Sequence, residues 1–202
     1  MRIGAVALRP DDPFTWASGR LSPIYTDNRV TLSHPDVRGR VVAAFTDALD
    51  RVPDVDAVSA TATAGIAHGA LLADRAGLPF SYVRASAKGH GRENRIEGQV
   101  TAGQRVVLVE DLVSTGGSVL SAAEALRQAG ATVAAAFAIF TYGFPEAGRA
   151  FDAAGLPLVT LTDVDTLAEV AHRSGGLGAG DLDVLRGWRD DPRAWSHARG
   201  GA

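Results

Sequence analysis

Arg105 to Ser118 reads RVVLVEDLVSTGGS, and the physical meaning of its parts decides the fold. Four apolar residues, Val106 to Val109, run into the acids Glu110 and Asp111. Leu112 and Val113 follow, then Ser114-Thr115-Gly116-Gly117-Ser118, and then a helical pattern. A continuous apolar run predicts a strand buried on both faces. The acids are expected where that strand ends. The hydroxyl and glycine run is expected where the next helix begins, with backbone N–H groups free to hold an anion. Carboxylates and an anion cradle delivered to one spot fit a sugar phosphate. The plainer alternative is a capped strand-to-helix turn that binds nothing.

Working outward, strands and helices alternate. Upstream, Val37, Val41, Phe45, Ala48 and Val52 recur at helical spacing, predicting an amphipathic helix over 34–51 with Ser33 as N-cap and Pro35 in the first turn. Val55 to Ala60 reads as a buried strand, Thr61 to Gly65 as a small-residue turn, Ile66 to Ala76 as a helix and Phe80 to Arg84 as a strand. Residues 85–98, ASAKGHGRENRIEG, are polar and lack either period, so they read as a long loop, a feature often functional in a compact domain. Downstream, helices are expected over 117–128, 145–154 and 165–172, with strands over 132–140 and 158–162. A last helix is expected over 181–189, and the tail beyond it reads as loose. Residues 1–13 read as a short helix or arm, and a strand is expected around Pro23 to Asp27. The fold class is α/β: an open, mostly parallel twisted sheet with helices on both faces. Ligands bind such sheets outside the carboxyl ends of the strands, where Thr61, Arg84 and Glu110 fall. No internal repeat and no second domain is visible.

Composition narrows the function. The 202 residues are 46% hydrophobic and 21% charged, ordinary for a globular chain with a core. A net charge of −3 argues against nucleic-acid binding by bulk charge. The absence of cysteine excludes disulfides and thiolate metal sites. No apolar run reaches the roughly 18 residues of a membrane span, and MRIGAVALRPDD turns acidic too soon for a signal peptide. The expectation is a cytoplasmic protein. Of 20 basic residues all but Lys88 are arginine. A lysine that persists under such a bias points to a need for a compact, mobile ammonium. A buried strand ending in acids could also be a Walker B strand, but no G-x-x-x-x-G-K-[ST] partner exists, and G-x-G-x-x-G is absent too.

The string from Val106 to Ser118 resembles the phosphoribosyl-diphosphate (PRPP) signature of the type I phosphoribosyltransferases. FTWASGRLSPIYTDNR (14–29) and YVRASAKGHGRENRIEG (82–98) resemble the N-terminal motif and the mobile catalytic loop of the orotate phosphoribosyltransferases within that family. The resemblance implies one phosphoribosyltransferase domain over 1–202. Its parts would be a substrate-side segment and small hood over 1–30, a mobile loop over 85–98 and a C-terminal extension over 174–202. It also implies transfer of the phosphoribosyl group from PRPP to orotate, giving orotidine 5′-monophosphate and diphosphate. Carried over by position, Arg84, Lys88 and His90 would contact the diphosphate. Glu110, Asp111, Leu112, Val113, Ser114, Thr115, Gly116, Gly117 and Ser118 would hold the ribose phosphate. Ser114, Tyr25, Thr26 and, on weaker grounds, Arg20 would lie at orotate, and the Thr61–Gly65 turn would face the diphosphate. The catalytic set would be Lys88, His90 and Asp111. Mg²⁺ would be held mainly by substrate and water, with no direct protein ligand. A homodimer with shared sites is implied, with Lys88 and His90 serving the neighbour. Some members carry lysine where this chain has Ala17, Ala64 and Ala85, and arginine about where it has Tyr142, so those side chains cannot contribute here. The rival readings are a purine or uracil phosphoribosyltransferase, against which SGRLSPIY argues, and a PRPP-binding regulator. The latter would want a nucleic-acid surface, and no basic patch or helix-turn-helix extension is visible.

Overall fold

The computed structural model describes residues 2–16, 18–86 and 95–202. In chain order the elements are β1 (Val6–Leu8), β2 (Phe14–Thr15), β3 (Leu21–Ser22), β4 (Ile24–Thr26), a 3-10 turn (Asn28–Ser33), α1 (Pro35–Leu49), β5 (Ala57–Thr61), α2 (Gly65–Ala76), β6 (Phe80–Val83) and β7 (Ile96–Glu97). They continue as β8 (Arg105–Val113), α3 (Gly117–Gln128), β9 (Thr132–Thr141), α4 (Pro145–Ala153), β10 (Leu158–Asp163), α5 (Val164–Arg173), α6 (Ala179–Asp190) and α7 (Pro192–His197).

Six strands form the central sheet in the order β10-β9-β8-β5-β6-β7. All neighbours are parallel except the β6–β7 pair. The apolar run of β8 explains its central place, because both of its faces are covered. Val106 and Leu108 pack with Val119, Ala122 and Leu126 of α3 and Phe151 of α4. Val107 and Val109 pack with Phe45 and Leu49 of α1, Leu72 of α2 and Phe137 of β9. Each fully buried valine, leucine or phenylalanine among them contributes about 1.5–3 kcal/mol of transfer free energy.

The chain leaves β5 for β6 on one side, then returns to place β8 on the other side of β5. The order of the sheet therefore reverses between β5 and β8, which opens a crevice at their carboxyl ends. The apolar run alone would end the strand at the acids. Instead β8 continues through Glu110 and Asp111, because β9 pairs with it as far as Val113↔Thr141. Pairing with β5 stops at Ala60↔Val109. The two acids thus stand in a strand held on one edge and open on the other.

Several expectations are corrected at the ends of the chain. Residues 6–8 form no helix; β1 pairs antiparallel with β4, matching Val6↔Thr26, Ala7↔Tyr25 and Leu8↔Ile24. A second ribbon pairs Phe14↔Ser22 and Thr15↔Leu21. Ser33 ends the 3-10 turn, and His34 takes the N-cap position of α1. Within the expected 85–98 loop, Ile96 and Glu97 form β7; residues 87–94, including Lys88 and His90, lie outside the described residues. The tail beyond residue 189, expected to be loose, instead forms α7, while the helix expected over 181–189 is present as α6. Trp188 and Trp195 are buried with Ile24, Phe140, Tyr142 and Phe144 in a third apolar cluster beneath the ribbons. Ser196 is fully buried; its Oγ accepts from the Leu21 amide at 2.9 Å and donates to the Ala202 carbonyl at 2.9 Å. Burial of two indoles offsets the entropy of ordering the terminal segment. No helix among the described residues is long and apolar enough to cross a membrane.

Candidate active site

The crevice between β5 and β8 is an open cleft of about 370 Å³. Its floor is Glu110, Asp111 and Leu112 of β8, and one wall is the Ala62–Ala64 turn after β5. Thr26, Asp27 and Arg29 come from the end of β4 and the turn after it, Ser118 from α3, and Tyr142 from the residue after β9. The Ala62–Thr63 peptide bond is cis.

The carboxylate pair is held from several directions. Glu110 is buried, and its oxygens accept from the Asp111 amide at 3.0 Å and the Ser118 hydroxyl at 3.4 Å. The Asp111 carbonyl accepts from Asn28 Nδ2 at 2.8 Å, which ties the hood to the uncovered edge of β8. Burial pushes both carboxyls up, and the neighbouring Asp111 charge raises Glu110 further. Such a pair favours a hydroxyl-rich or cationic ligand that relieves its repulsion.

The anion cradle depends on close packing at two glycines. Gly116 is the N-cap of α3, has φ +85° and offers no side-chain cap. A Cβ there would stand 2.6 Å from Cε2 of Phe151. Only glycine serves the position, and the first-turn amides of α3 are left for an anion. At Gly65 a Cβ would meet the Val109 carbonyl at 2.6 Å, so α2 starts hard against β8.

The candidate residues divide by position. Thr26, Glu110, Asp111, Leu112 and Ser118 line the cleft. Ser114, Thr115, Gly116 and Gly117 form the turn into α3, and Val113 is buried in β8. Arg84 follows β6, with its Nε 3.2 Å from Oε1 of Glu97. Tyr25 points to the other face of β4 from Ile24, is 45% exposed, and packs against Phe14 with ring centroids 5.7 Å apart. Arg20 lines a separate recess with Phe144, Arg149 and Arg193. Asp27, Asn28 and Arg29 were not picked out from the sequence. Their one signal is a polar D-N-R run directly after the β4 strand.

Burial sets the ionisation of two neutral groups. It pushes the Tyr142 phenol up to about 12, so the ring meets the cleft as a neutral donor. Thr26 Oγ1 is buried in the same wall without completing a hydrogen bond of good geometry. Behind the turn, His68 of α2 is fully buried, and neither ring nitrogen has a partner among the described residues. Burial holds its pKa down at about 4. The unfolded imidazole titrates near 6.5, so protonation favours the unfolded chain. Stability is therefore lost as pH falls from about 6.5 toward 4, by up to about 3 kcal/mol. His68→Leu is expected to flatten the fall of melting temperature between pH 7 and pH 5; equal slopes in the two proteins would exclude His68 as its source.

A parallel sheet whose switch-point crevice pairs two acids with a bare helix N-terminus is the architecture of a phosphoribosyl-transferring domain, and residues 47–150 match the phosphoribosyl transferase domain family. The chain is 51% identical over 193 residues to the orotate phosphoribosyltransferase of Bacillus subtilis (strain 168), covering 95% of this chain and 89% of that one. It is 48% identical over 198 residues to that of Lactococcus lactis subsp. lactis (strain IL1403), covering 98% and 95%. The crystal structure of orotate phosphoribosyltransferase from Aeropyrum pernix superposes with a TM-score of 0.75 at 31% identity, covering 88% of this chain and 96% of that one. The chain belongs to the orotate phosphoribosyltransferase family.

Proposed function

We propose that the chain transfers the 5-phosphoribosyl group of PRPP to orotate, giving orotidine 5′-monophosphate and diphosphate. The observation that carries this reading is the convergence of Glu110 and Asp111 with the uncapped start of α3 at one crevice. The 5′-phosphate sits on the Ser114–Ser118 amides and hydroxyls, and the ribose hydroxyls face the carboxylate pair. The C1–oxygen bond to diphosphate breaks with its electron pair leaving on oxygen, and orotate N1 forms the new bond to C1 as its proton passes to solvent or to the departing diphosphate. No covalent enzyme intermediate is needed. The protein's part is to position the reactants and to set fixed charge where charge develops. Arg84 stands at the carboxyl end of β6, on the side from which diphosphate leaves.

Mg²⁺, a homodimer with shared sites and a cytoplasmic setting belong to the same proposal. Among the described residues no group of three or more His, Cys, Asp or Glu side chains is arranged to hold a metal ion. Glu110 and Asp111 supply hard oxygen donors, which fits an ion held mostly by PRPP and water. When bound, Mg²⁺ would neutralise charge on the leaving diphosphate. The test is an orotate-consumption assay with PRPP and Mg²⁺, followed by loss of orotate absorbance. Loss that requires PRPP is the expected result; no PRPP-dependent loss would point to the regulator.

A further inference from the structure

The cleft poses a charge problem. Orotate is a carboxylate, yet the cleft it must enter is lined by three acids, Asp27, Glu110 and Asp111. Like charges at such range oppose binding unless a cation intervenes. Among the described residues lining the cleft, Arg29 is the single basic one. Arg20 is in a different recess. Arg29 is also held in place. Its Nε and Nη2 donate to the two oxygens of Asp27 at 2.7 and 3.0 Å, and Asp27 Oδ1 accepts from its amide at 3.1 Å. Nη1 has no partner. A guanidinium carries five donors in a rigid fork and can bind a second carboxylate on its remaining edge without releasing the first.

Given that orotate is the substrate, we propose that Arg29 is the specificity-determining residue that receives the orotate carboxylate, with Asp27 fixing its guanidinium toward the cleft. The neutral hydroxyls of Thr26 and Tyr142 on the same wall face the rest of the pyrimidine. Arg29 thereby offsets the acids of the cleft for an acidic base and offers nothing comparable to a neutral one, which is discrimination by differential charge pairing.

The test is steady-state kinetics of full-length Arg29→Gln and Arg29→Lys, with orotate and PRPP varied in turn. Removing a charge-assisted hydrogen bond to a carboxylate is expected to raise KM for orotate about 10- to 100-fold in R29Q. KM for PRPP should stay within about threefold, and R29K should recover much of the loss. Arg29→Met, which keeps the aliphatic stem, is run alongside so that a folding failure of one variant leaves the other to decide. An orotate KM within threefold of wild type in R29Q or R29M, or a parallel rise in the PRPP KM, would overturn the assignment while leaving the proposed function standing. A wild-type protein that consumes no orotate would overturn both.

Discussion

Asp111→Asn is expected to lower kcat/KM for orotate by about 100- to 1,000-fold while leaving the protein at least as stable as wild type. The loss follows from where charge develops. As the bond from C1 to diphosphate breaks, the ribose becomes cationic, and a fixed carboxylate beside it stabilises that state more than the ground state. Removing one preorganised electrostatic group of this kind costs roughly 2.7–4 kcal/mol. Asp111 is the stronger candidate of the pair for that task. Glu110 is the more buried, with both oxygens engaged by the Asp111 amide and the Ser118 hydroxyl. The stability arm has the opposite sign. Burial pushes both carboxyls up, and the Asp111 charge raises Glu110 further. Asparagine keeps the volume and removes that repulsion, so melting temperature should hold or rise. Kinetics and calorimetry on the same preparation check both arms. A D111N enzyme with kcat/KM within threefold of wild type would remove Asp111 from the mechanism.

Trp188→Ala should destabilise the chain by about 3–5 kcal/mol, the usual cost of deleting a buried indole. For a chain of this length that lowers the melting temperature by roughly 10 °C. Trp188 is fully buried, and its ring lies edge-on to Tyr142 at 5.3 Å and Phe144 at 5.1 Å, with Trp16 at 6.0 Å. No small side chain can fill the volume it leaves. Tyr142 is packed by Trp188 and also lines the cleft. The substitution is therefore expected to raise KM for orotate as well, through loss of support for that ring. Thermal unfolding and orotate kinetics test both effects. A stability change under 1 kcal/mol would mean that the C-terminal helices contribute little to the hood.

The parts of the site that were legible are those whose physics is local. Val106 to Val109 can only be satisfied with both faces covered, and the Ser114–Ser118 run has the small residues an uncapped helix start requires. Gly116 shows how local and tertiary demands coincide: its positive φ is a turn requirement, while the Phe151 ring against it is visible only in the fold. The strand runs past the acids because pairing outlasts hydrophobicity. β9 holds β8 in register past the acids, and no pattern within β8 encodes its partner's length. Arg20 and Arg29 are nine positions apart in one motif and equally basic. Their separation into a recess and a cleft follows from the turn at Asp27, whose carboxylate captures the Arg29 amide and guanidinium together.

By itself the sequence determined the alternation of strands and helices, the central strand, the acids and the anion cradle. Each depends on periodicity, burial or backbone chemistry within a few residues. The tertiary structure alone decided which strands flank the crevice, that Asn28 binds the uncovered edge of β8, and that the segment beyond residue 189 is ordered rather than loose. Those outcomes rest on contacts between residues far apart in the chain, such as the Leu21 amide on Ser196. Their free energy comes from burial and pairing that exist only once both partners are in place.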